Sequence, residues 1–355
     1  MPINVTLVGV ADGRQNAARM IPTIASPQQT PSWQHELQQA FRKPAELLAY
    51  LDLPEQLPTL QTEQVRHFPL RVPRGYARSM KPGDPQDPLF LQVWPRPQEA
   101  ETSENFSPDA VGDLQRLRPG GLIHKYQGRA LVVTTGACAV HCRYCFRQHF
   151  PYGDHQGSRQ QWLPTLQQIA SDSSLREVIL SGGDPLSLTD GKLAGLIRGL
   201  ADINHVKRLR LHTRQPVVLP SRVTPELIQL LRETHLQLVC VIHANHANEL
   251  STEVRAALAQ LKAAGITLLN QSVLLRNVND SSSALVDLSE SLSDAGVMPY
   301  YLHLLDRVSG SAHFEVPLPQ ARAIMREIQA QLPGYLVPRL TREEAGKPAK
   351  TLVPW

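Results

Sequence analysis

The strongest constraint on the fold is a regular alternation of short apolar runs with amphipathic stretches, which begins near Gly121. The runs have the length of buried strands, and the stretches between them repeat apolar residues at helical spacing. Gly265 and Gly296 each lie between such a stretch and the next run, where helices commonly end. The predicted strands are Ala130–Thr134, Glu177–Ser181, Arg208–His212, Leu236–His243, Thr267–Leu274 and Pro299–Leu305. The predicted helices are Trp162–Ser171, Lys192–Ala201, Pro225–Thr234, Thr252–Ala264 and Ser283–Ala295.

Six strand–helix units predict an α/β fold, namely a partial (β/α)6 barrel of the TIM-like kind. In such a barrel the functional site lies at the carboxyl ends of the parallel strands. A chain of 355 residues with 42% hydrophobic content can bury the core that this fold requires. We divide the chain into a loose extension at 1–30, a helical segment at 31–119, the barrel at 120–314, and a C-terminal helix and tail at 315–355. Helical spacing within the outer segments is clearest at Trp33–Leu51 and Gln320–Gln331.

Charge and hydropathy exclude several classes of protein. The net charge of +4 is small and scattered, which is not typical of a dedicated nucleic-acid binder. No apolar run approaches the ~20 residues that span a bilayer, so no membrane association is expected. The apolar stretch Ile3–Val10 lacks the basic flank of a signal peptide. We therefore expect a cytoplasmic protein, in whose reducing surroundings clustered cysteines more often bind metal than form disulfides.

Three of the four cysteines lie close together, directly after the first predicted strand. Cys138, Cys142 and Cys145 have the spacing C-x3-C-x2-C. Three thiolates on one loop can bind three irons of a cubane 4Fe-4S cluster. The fourth iron then has no protein ligand, and the amino and carboxylate groups of S-adenosylmethionine can occupy it. The motif therefore predicts a site that starts radical chemistry.

A zinc site is the alternative interpretation of these cysteines, with His141 or His149 as the fourth ligand. Structural zinc sites usually pair two short cysteine motifs, and the sequence has no second one, which favours the cluster. A zinc-stabilised binding protein without catalytic activity nevertheless explains the cysteines alone. The fourth cysteine, Cys240, lies within a predicted strand and is interpreted as a core residue.

The cysteine motif and its surroundings resemble the lysine 2,3-aminomutase family of radical S-adenosylmethionine enzymes, from about Trp33 to Thr351. Five stretches carry the resemblance in order: Cys-Arg-Tyr-Cys-Phe-Arg-Gln-His-Phe-Pro-Tyr (142–152), Ser-Gly-Gly-Asp-Pro-Leu (181–186), Asn-His-Ala-Asn-Glu (245–249), Leu-Asn-Gln-Ser-Val-Leu-Leu-Arg (269–276) and Ala-Gly-Val-Met-Pro-Tyr-Tyr-Leu-His (295–303). The resemblance implies a radical S-adenosylmethionine barrel and an isomerase that converts L-α-lysine to (R)-β-lysine. Its implied cofactors are a 4Fe-4S cluster, S-adenosylmethionine and pyridoxal 5′-phosphate.

The resemblance also assigns residues to the cofactors. Lys350 aligns with the lysine that carries pyridoxal phosphate as a Schiff base, and Lys347 competes with it because the local glycine-rich pattern is reduced. His303 stands where related enzymes often have tyrosine. The remaining cofactor assignments are Lys125, Tyr126 and Arg129 for pyridoxal phosphate, and Ser181, Gly182, Gly183, Asp184, His243 and Gln271 for S-adenosylmethionine.

Three further positions align with residues that hold the substrate. Arg147 aligns with the clamp on the α-carboxylate, whereas Asp306 and Glu343 align with the acidic pair that receives the ε-ammonium. A pair of carboxylates favours a cationic side chain and repels an acidic one, which points to lysine rather than glutamate.

Within the family, the sequence most resembles enzymes that supply (R)-β-lysine for the modification of elongation factor P. This implies a functional link to a lysyl ligase that acts on elongation factor P, and an external reductant of the flavodoxin or ferredoxin type. An aminomutase that makes free β-lysine for another pathway is the nearest alternative. The sequence leaves the oligomeric state open, including a homo-oligomer.

Overall fold

A single mixed sheet runs through the fold, and its strands lie side by side in chain order. The computed structural model describes residues 32–59, 68–154 and 162–355, and the predicted extension at 1–30 lies outside them. The strands within the described residues are β1 Leu117–Arg118, β2 Leu122–Tyr126, β3 Arg129–Thr135, β4 Glu177–Gly182, β5 Arg208–Thr213, β6 Gln237–Ile242, β7 Thr267–Val273, β8 Met298–His303, β9 Arg339–Arg342 and β10 Thr351–Leu352. Neighbouring strands from β3 to β9 are parallel, whereas β1–β2, β2–β3 and β9–β10 pair antiparallel.

Helices precede the sheet, connect its parallel strands and follow them. They are α1 Trp33–Gln38, α2 Pro44–Tyr50, α3 Arg74–Ala77, α4 Pro88–Leu91, α5 Trp162–Ser171, α6 Asp190–Ala201, α7 Gln215–Val218, α8 Pro225–Arg232, α9 Thr252–Ala263, α10 Ser282–Asp294 and α11 Leu318–Gln331. Hydroxyl caps start three of the connecting helices: Thr224 accepts from the N–H of Leu227, and Ser251 and Ser281 do the same for α9 and α10. Short 3₁₀ turns lie at Pro97–Ala100, Leu114–Arg116, Tyr152–Asp154, Pro185–Ser187, Pro220–Arg222, Ala247–Glu249, Ala312–Phe314 and Gly334–Leu336.

Alternating burial along β5 and β7 separates a helix-covered face of the sheet from a more accessible face. On β7, Leu268, Asn270 and Ser272 are buried, whereas Leu269 and Gln271 are only half-buried. The connecting helices cover the buried face with their apolar stripes. Burying each leucine of these stripes stabilises the fold by about 2 kcal/mol. The opposite face remains available for a site.

The predicted barrel core is confirmed. The six predicted strands correspond to β3–β8, and Gly265 and Gly296 adopt the positive φ angles of helix ends, +82° and +73°. Within the described residues, β1 and β10 are not paired with each other, so the barrel is partial.

Three features add to what the sequence predicted. The stretch Trp33–Leu51, with its helical spacing, contains two helices, because Phe41 lies outside α1 and pairs with Val72, and Pro44 then starts α2. The residues before the first predicted strand form the hairpin of β1 and β2. Part of the tail is strand β9, which adds a seventh parallel strand.

Ser32–Trp355 form one compact unit, and their subdivision at residues 119 and 314 stays a prediction. None of the helices within the described ranges combines the length and the apolar character needed to cross a membrane.

Candidate active site

The three clustered cysteines lie on the loop that leaves the carboxyl end of β3. Hydrogen bonds hold this loop: the N–H of Cys145 donates to the carbonyl of Cys142 at 3.0 Å, and the N–H of Arg143 donates to that of Gln92 at 2.9 Å. Cys138, Cys142 and Cys145 are free and half-buried. Burial, and then the negative charges of neighbouring groups, raise the pKa of the Cys145 thiol to about 11, and that of Cys138 rises for the same reasons. Thiolates here need a compensating positive charge, which the iron of a bound cluster would supply.

The two histidines beside the cysteines are engaged elsewhere. His141 Nδ1 lies 2.7 Å from the carbonyl of Pro69, and its ring stacks on Phe68. His149 Nε2 lies 3.1 Å from the carbonyl of Ser309. Across the described ranges, no three His, Cys, Asp or Glu side chains are placed to hold one metal ion. In a cubane each cysteine binds a different iron, so the three sulfurs need not converge on one metal ion. The donor set therefore fits the cluster better than zinc.

The predicted glycine pair brings the end of β4 directly against the cysteine loop. Gly182 has φ +120°, and a Cβ there would lie 2.7 Å from the carbonyl oxygen of Thr135. A Cβ on Gly183 would lie 2.5 Å from the carbonyl oxygen of Ala137. Both glycines are therefore required for the close approach of two backbones.

Asp184 joins two strand ends. Its buried carboxylate accepts from the hydroxyl of Thr213 at 2.7 Å and from the backbone N–H groups of Arg214 (2.7 Å), Gln215 (3.2 Å) and Leu186 (3.0 Å). Burial raises the pKa of Asp184 to about 6, although these hydrogen bonds lower it. The contacts of this residue, which was predicted for the S-adenosylmethionine side, fix the end of β5 to the end of β4.

The other residues predicted for that side lie near the carboxyl ends of three strands. Gln271 Nε2 lies 2.7 Å from His243 Nε2, and the hydroxyl of Ser181 accepts from Arg147 at 3.1 Å. Burial, aided by the positive charges of Arg214 and other cations, lowers the pKa of His243 to about 3. His243 is therefore neutral at physiological pH.

A continuous chain of ion pairs links the cysteine loop to the C-terminal tail. Arg147 Nε donates to Asp113 at 2.7 Å, and Asp113 in turn accepts from Lys125 at 2.5 Å. Lys125 lies 3.3 Å from Glu343, whose second oxygen accepts from Lys350 at 2.6 Å. The structure thus brings together four predicted residues from the loop, from β2 and from the segment after β9. Asp113 was not predicted, because no motif surrounds it.

Glu343 connects the C-terminal tail to strand β2. It also accepts from the phenol of Tyr126 at 2.6 Å. Burial alone raises the pKa of Glu343, but Lys350 and Lys125 outweigh it and hold the pKa at about 2. Glu343 is consequently ionised, and both of its oxygens have partners within the chain.

The structure distinguishes the two candidate lysines. Lys347 is exposed, whereas the Lys350 side chain is 25% exposed and held by Glu343. The positive charge of Lys350 also adds to burial in lowering the pKa values of His212 and His303. This position supports Lys350 as the cofactor lysine.

Two further observations fit pyridoxal phosphate beside Lys350. His303 Nε2 is buried and has no hydrogen-bond partner among the described residues. The Arg129 guanidinium lies 4.6 Å from the centre of the Tyr126 ring, and none of the described side chains pairs with it as an acid. A phosphate near Arg129 and a polar ring atom near His303 would satisfy both groups.

Asp306 differs from Glu343 in that no side chain or backbone group of the described residues hydrogen-bonds or ion-pairs with its carboxylate. Burial raises its pKa to about 7, although the charge of Lys350 opposes this. Asp306 and Glu343 line a cavity of about 320 Å³ at the carboxyl ends of the strands. A larger cavity of about 620 Å³ lies between α8 and α9, away from these groups.

Comparison with known proteins gives consistent matches. Residues 132–288 match the radical SAM superfamily. The chain is 46% identical over 326 residues to L-lysine 2,3-aminomutase of Escherichia coli K12, which covers 91% of this chain and 95% of that protein. It is 45% identical over 334 residues to L-lysine 2,3-aminomutase of Haemophilus influenzae, with 94% and 99% covered. The identity to L-lysine 2,3-aminomutase of Clostridium subterminale is 31% over 322 residues, with 90% and 77% covered.

Proposed function

The chain belongs to the lysine 2,3-aminomutase family of radical SAM isomerases, and from this premise we propose that it converts L-α-lysine to (R)-β-lysine with pyridoxal phosphate held on Lys350. The family implies a 4Fe-4S cluster, S-adenosylmethionine, lysine as substrate and an external reductant. The observation that carries the proposal is the chain of ion pairs from Arg147 to Lys350. It joins the residue beside the cluster loop to the lysine of the tail, and so makes one site of two distant parts of the sequence.

The chemistry is divided between the cofactors and the protein. When bound, the cluster and S-adenosylmethionine supply the radical that removes a hydrogen atom from lysine, and pyridoxal phosphate holds the migrating nitrogen. The protein binds and orients the substrate and keeps water away from the reacting carbons.

Arg147 is suited to hold the α-carboxylate of lysine. It follows Cys145 by two residues and is 7% exposed. Its Nε donates to Asp113 and its Nη1 donates to Ser181. Its Nη2 is left without a protein partner among the described residues. A guanidinium fixed on two sides can present the third nitrogen to a carboxylate in one orientation.

Asp306 is suited to hold the ε-ammonium. Its carboxylate has no partner among the described residues, and Asp306 lines the same cavity as Glu343, whose charge is paired with Lys125 and Lys350. Burial, reinforced by the charges of nearby cations, lowers the pKa values of His212, His243 and His303, so these rings are neutral. They add no positive charge at the carboxyl ends of β5, β6 and β8.

An anaerobic assay tests the proposal. Enzyme reconstituted with iron and sulfide receives S-adenosylmethionine, pyridoxal phosphate and dithionite, and then L-lysine or L-glutamate in parallel. We expect (R)-β-lysine from lysine and no product from glutamate. Full cluster loading without any β-lysine, or turnover of glutamate, contradicts the proposal.

We also propose that the product serves elongation factor P in the cytoplasm. The support is the resemblance of the sequence to enzymes of that pathway, and a 4Fe-4S cluster that must be reduced suits a reducing compartment. When a lysyl ligase and elongation factor P are supplied with L-α-lysine, addition of this enzyme should shift the attached residue to β-lysine. If the ligase accepts both isomers equally, the alternative of free β-lysine for another pathway is favoured.

A further inference from the structure

We propose that Arg214 and Glu249 form a buried charge pair that sets the reduction potential of the cluster, with Arg214 as a positioning residue that donates a hydrogen bond to the sulfur of Cys142. The proposal rests on the cluster that the family implies and goes beyond the assignment of its cysteine ligands. It concerns a group that belongs to neither the substrate nor the pyridoxal phosphate residues described above.

Arg214 lies directly after β5, at the carboxyl end of the sheet. Its Nη1 lies 2.7 Å from Cys142 Sγ and 2.8 Å from the phenol oxygen of Tyr144. Its Nη2 lies 2.8 Å from Glu249 Oε2 and 2.6 Å from the side-chain oxygen of Gln92. Since the residue is only 7% exposed, these contacts replace solvent around its positive charge.

Glu249 is fixed as firmly as its partner. It is 1% exposed. Its Oε1 accepts from the backbone N–H groups of Asn245 at 2.8 Å and of His246 at 3.1 Å, and from the side chain of Gln92 at 3.1 Å. The carboxylate therefore has no freedom to leave the guanidinium.

A third group locks the pair against the cysteine loop. The phenol oxygen of Tyr144, which lies between Cys142 and Cys145 in sequence, accepts from Arg214 and from Asn245 Nδ2 at 2.7 Å. The same network thus fixes the position of the Arg214 guanidinium relative to the cysteine loop. The donor nitrogen is directed at the sulfur by side chains that do not touch the cysteine themselves.

The charges of Arg214 and Glu249 should shift the reduction potential of the cluster in opposite directions. Reduction adds negative charge to the cluster, and hydrogen bonds to its sulfurs are among the factors that set its potential. A buried cation that donates to Cys142 favours the reduced cluster, whereas the negative charge of Glu249 partly cancels that effect. Loss of Arg214 should therefore lower the potential, and loss of the Glu249 charge should raise it.

A redox titration followed by electron paramagnetic resonance, without S-adenosylmethionine, tests this pair in the reconstituted enzyme. For Arg214→Gln we expect the ratio of reduced to oxidised cluster at a fixed ambient potential to fall about tenfold, which is ~59 mV for one electron. For Glu249→Gln the ratio should rise. Arg222→Lys is the matched control, because Arg222 is also buried and ion-paired, with Asp190 at 2.7 Å, but contacts no cysteine.

The opposite signs separate a tuning role from a structural one, because simple loosening of the loop would move both variants in the same direction. Unchanged potentials, or shifts of the same sign, at full iron content overturn the proposal. If Arg214→Gln does not retain iron, Glu249→Gln decides alone: a raised potential supports the pair and an unchanged one refutes it. Iron content of the parent enzyme separately reports whether the cluster itself is present.

Discussion

Asp113 Oδ2 lies 2.7 Å from Arg147 Nε, and this buried pair connects the cysteine loop to the rest of the site. Asp113 is 3% exposed, and its other oxygen is occupied by Lys125. Although burial disfavours its charge, the two cations together lower the pKa of Asp113. The carboxylate is therefore ionised and sets the distance between the group proposed for the substrate carboxylate and a group proposed for pyridoxal phosphate.

Asp113→Asn should reduce the free energy of unfolding by about 3 kcal/mol, since it leaves Arg147 buried without a counterion and Lys125 with Glu343 alone. Urea denaturation measures this change. Asp84→Asn is the matched control, because Asp84 pairs with Lys81 at the exposed surface, where the pair contributes little. Equal losses of unfolding free energy in the two variants would show that the buried pair stabilises the fold no more than the exposed pair does.

Cys145→Ser should abolish the iron-dependent absorbance and all β-lysine formation, because one iron of the cluster loses its ligand. Cys240→Ser should retain both, since Cys240 is a buried residue of strand β6 and is not part of the cysteine loop. Iron and sulfide analysis after anaerobic reconstitution measures the difference. Zinc bound in place of iron, with the histidines beside the loop required for it, would instead favour the zinc alternative.

Lys350→Ala should lose the absorbance of bound pyridoxal phosphate and the activity, whereas Lys347→Ala should keep both. The physical reason is position, because Lys350 is half-buried beside Glu343 and Lys347 is exposed. The difference spectrum of each reconstituted variant is the measurement. Loss of the absorbance only on Lys347→Ala would reverse the assignment.

The kcat/KM for lysine should fall about tenfold from about pH 8 to about pH 6 as Asp306 takes up a proton. Burial raises the pKa of this carboxyl to about 7, so its negative charge is present above that pH and is lost below it. The substrate ammonium stays charged throughout. In Asp306→Asn the kcat/KM should be low and nearly independent of pH in this window; an unchanged pH profile in that variant would refute the role of Asp306.

The sequence predicted the parallel core well, because β3–β8 are apolar runs of ordinary strand length separated by amphipathic helices. It did not predict the strands at the edges of the sheet. Strand β9 is the short run Arg339–Arg342, in which two arginines flank two residues, and pairing with β8 rather than local pattern makes it a strand.

Site residues that belong to a local sequence motif could be predicted. Site residues that meet only because the fold brings distant segments together could not. The cysteine spacing is readable from the chain, and so is the glycine pair after β4. Asp113 and Arg214 stand alone in their segments and acquire partners 34 and 72 residues away. The one available signal for Arg214 was its place two residues after a predicted strand, at the end of the barrel where sites occur.

The most direct test of the central claim is to follow L-lysine labelled with ¹⁵N at its α-amino group. Anaerobic turnover by the reconstituted enzyme, followed by nuclear magnetic resonance of the product, shows which carbon carries the label. We predict that the ¹⁵N lies on the β-carbon of β-lysine, because the same nitrogen moves between neighbouring carbons of one molecule. Unlabelled β-lysine, or unchanged lysine from enzyme with a complete cluster and bound pyridoxal phosphate, would contradict the account.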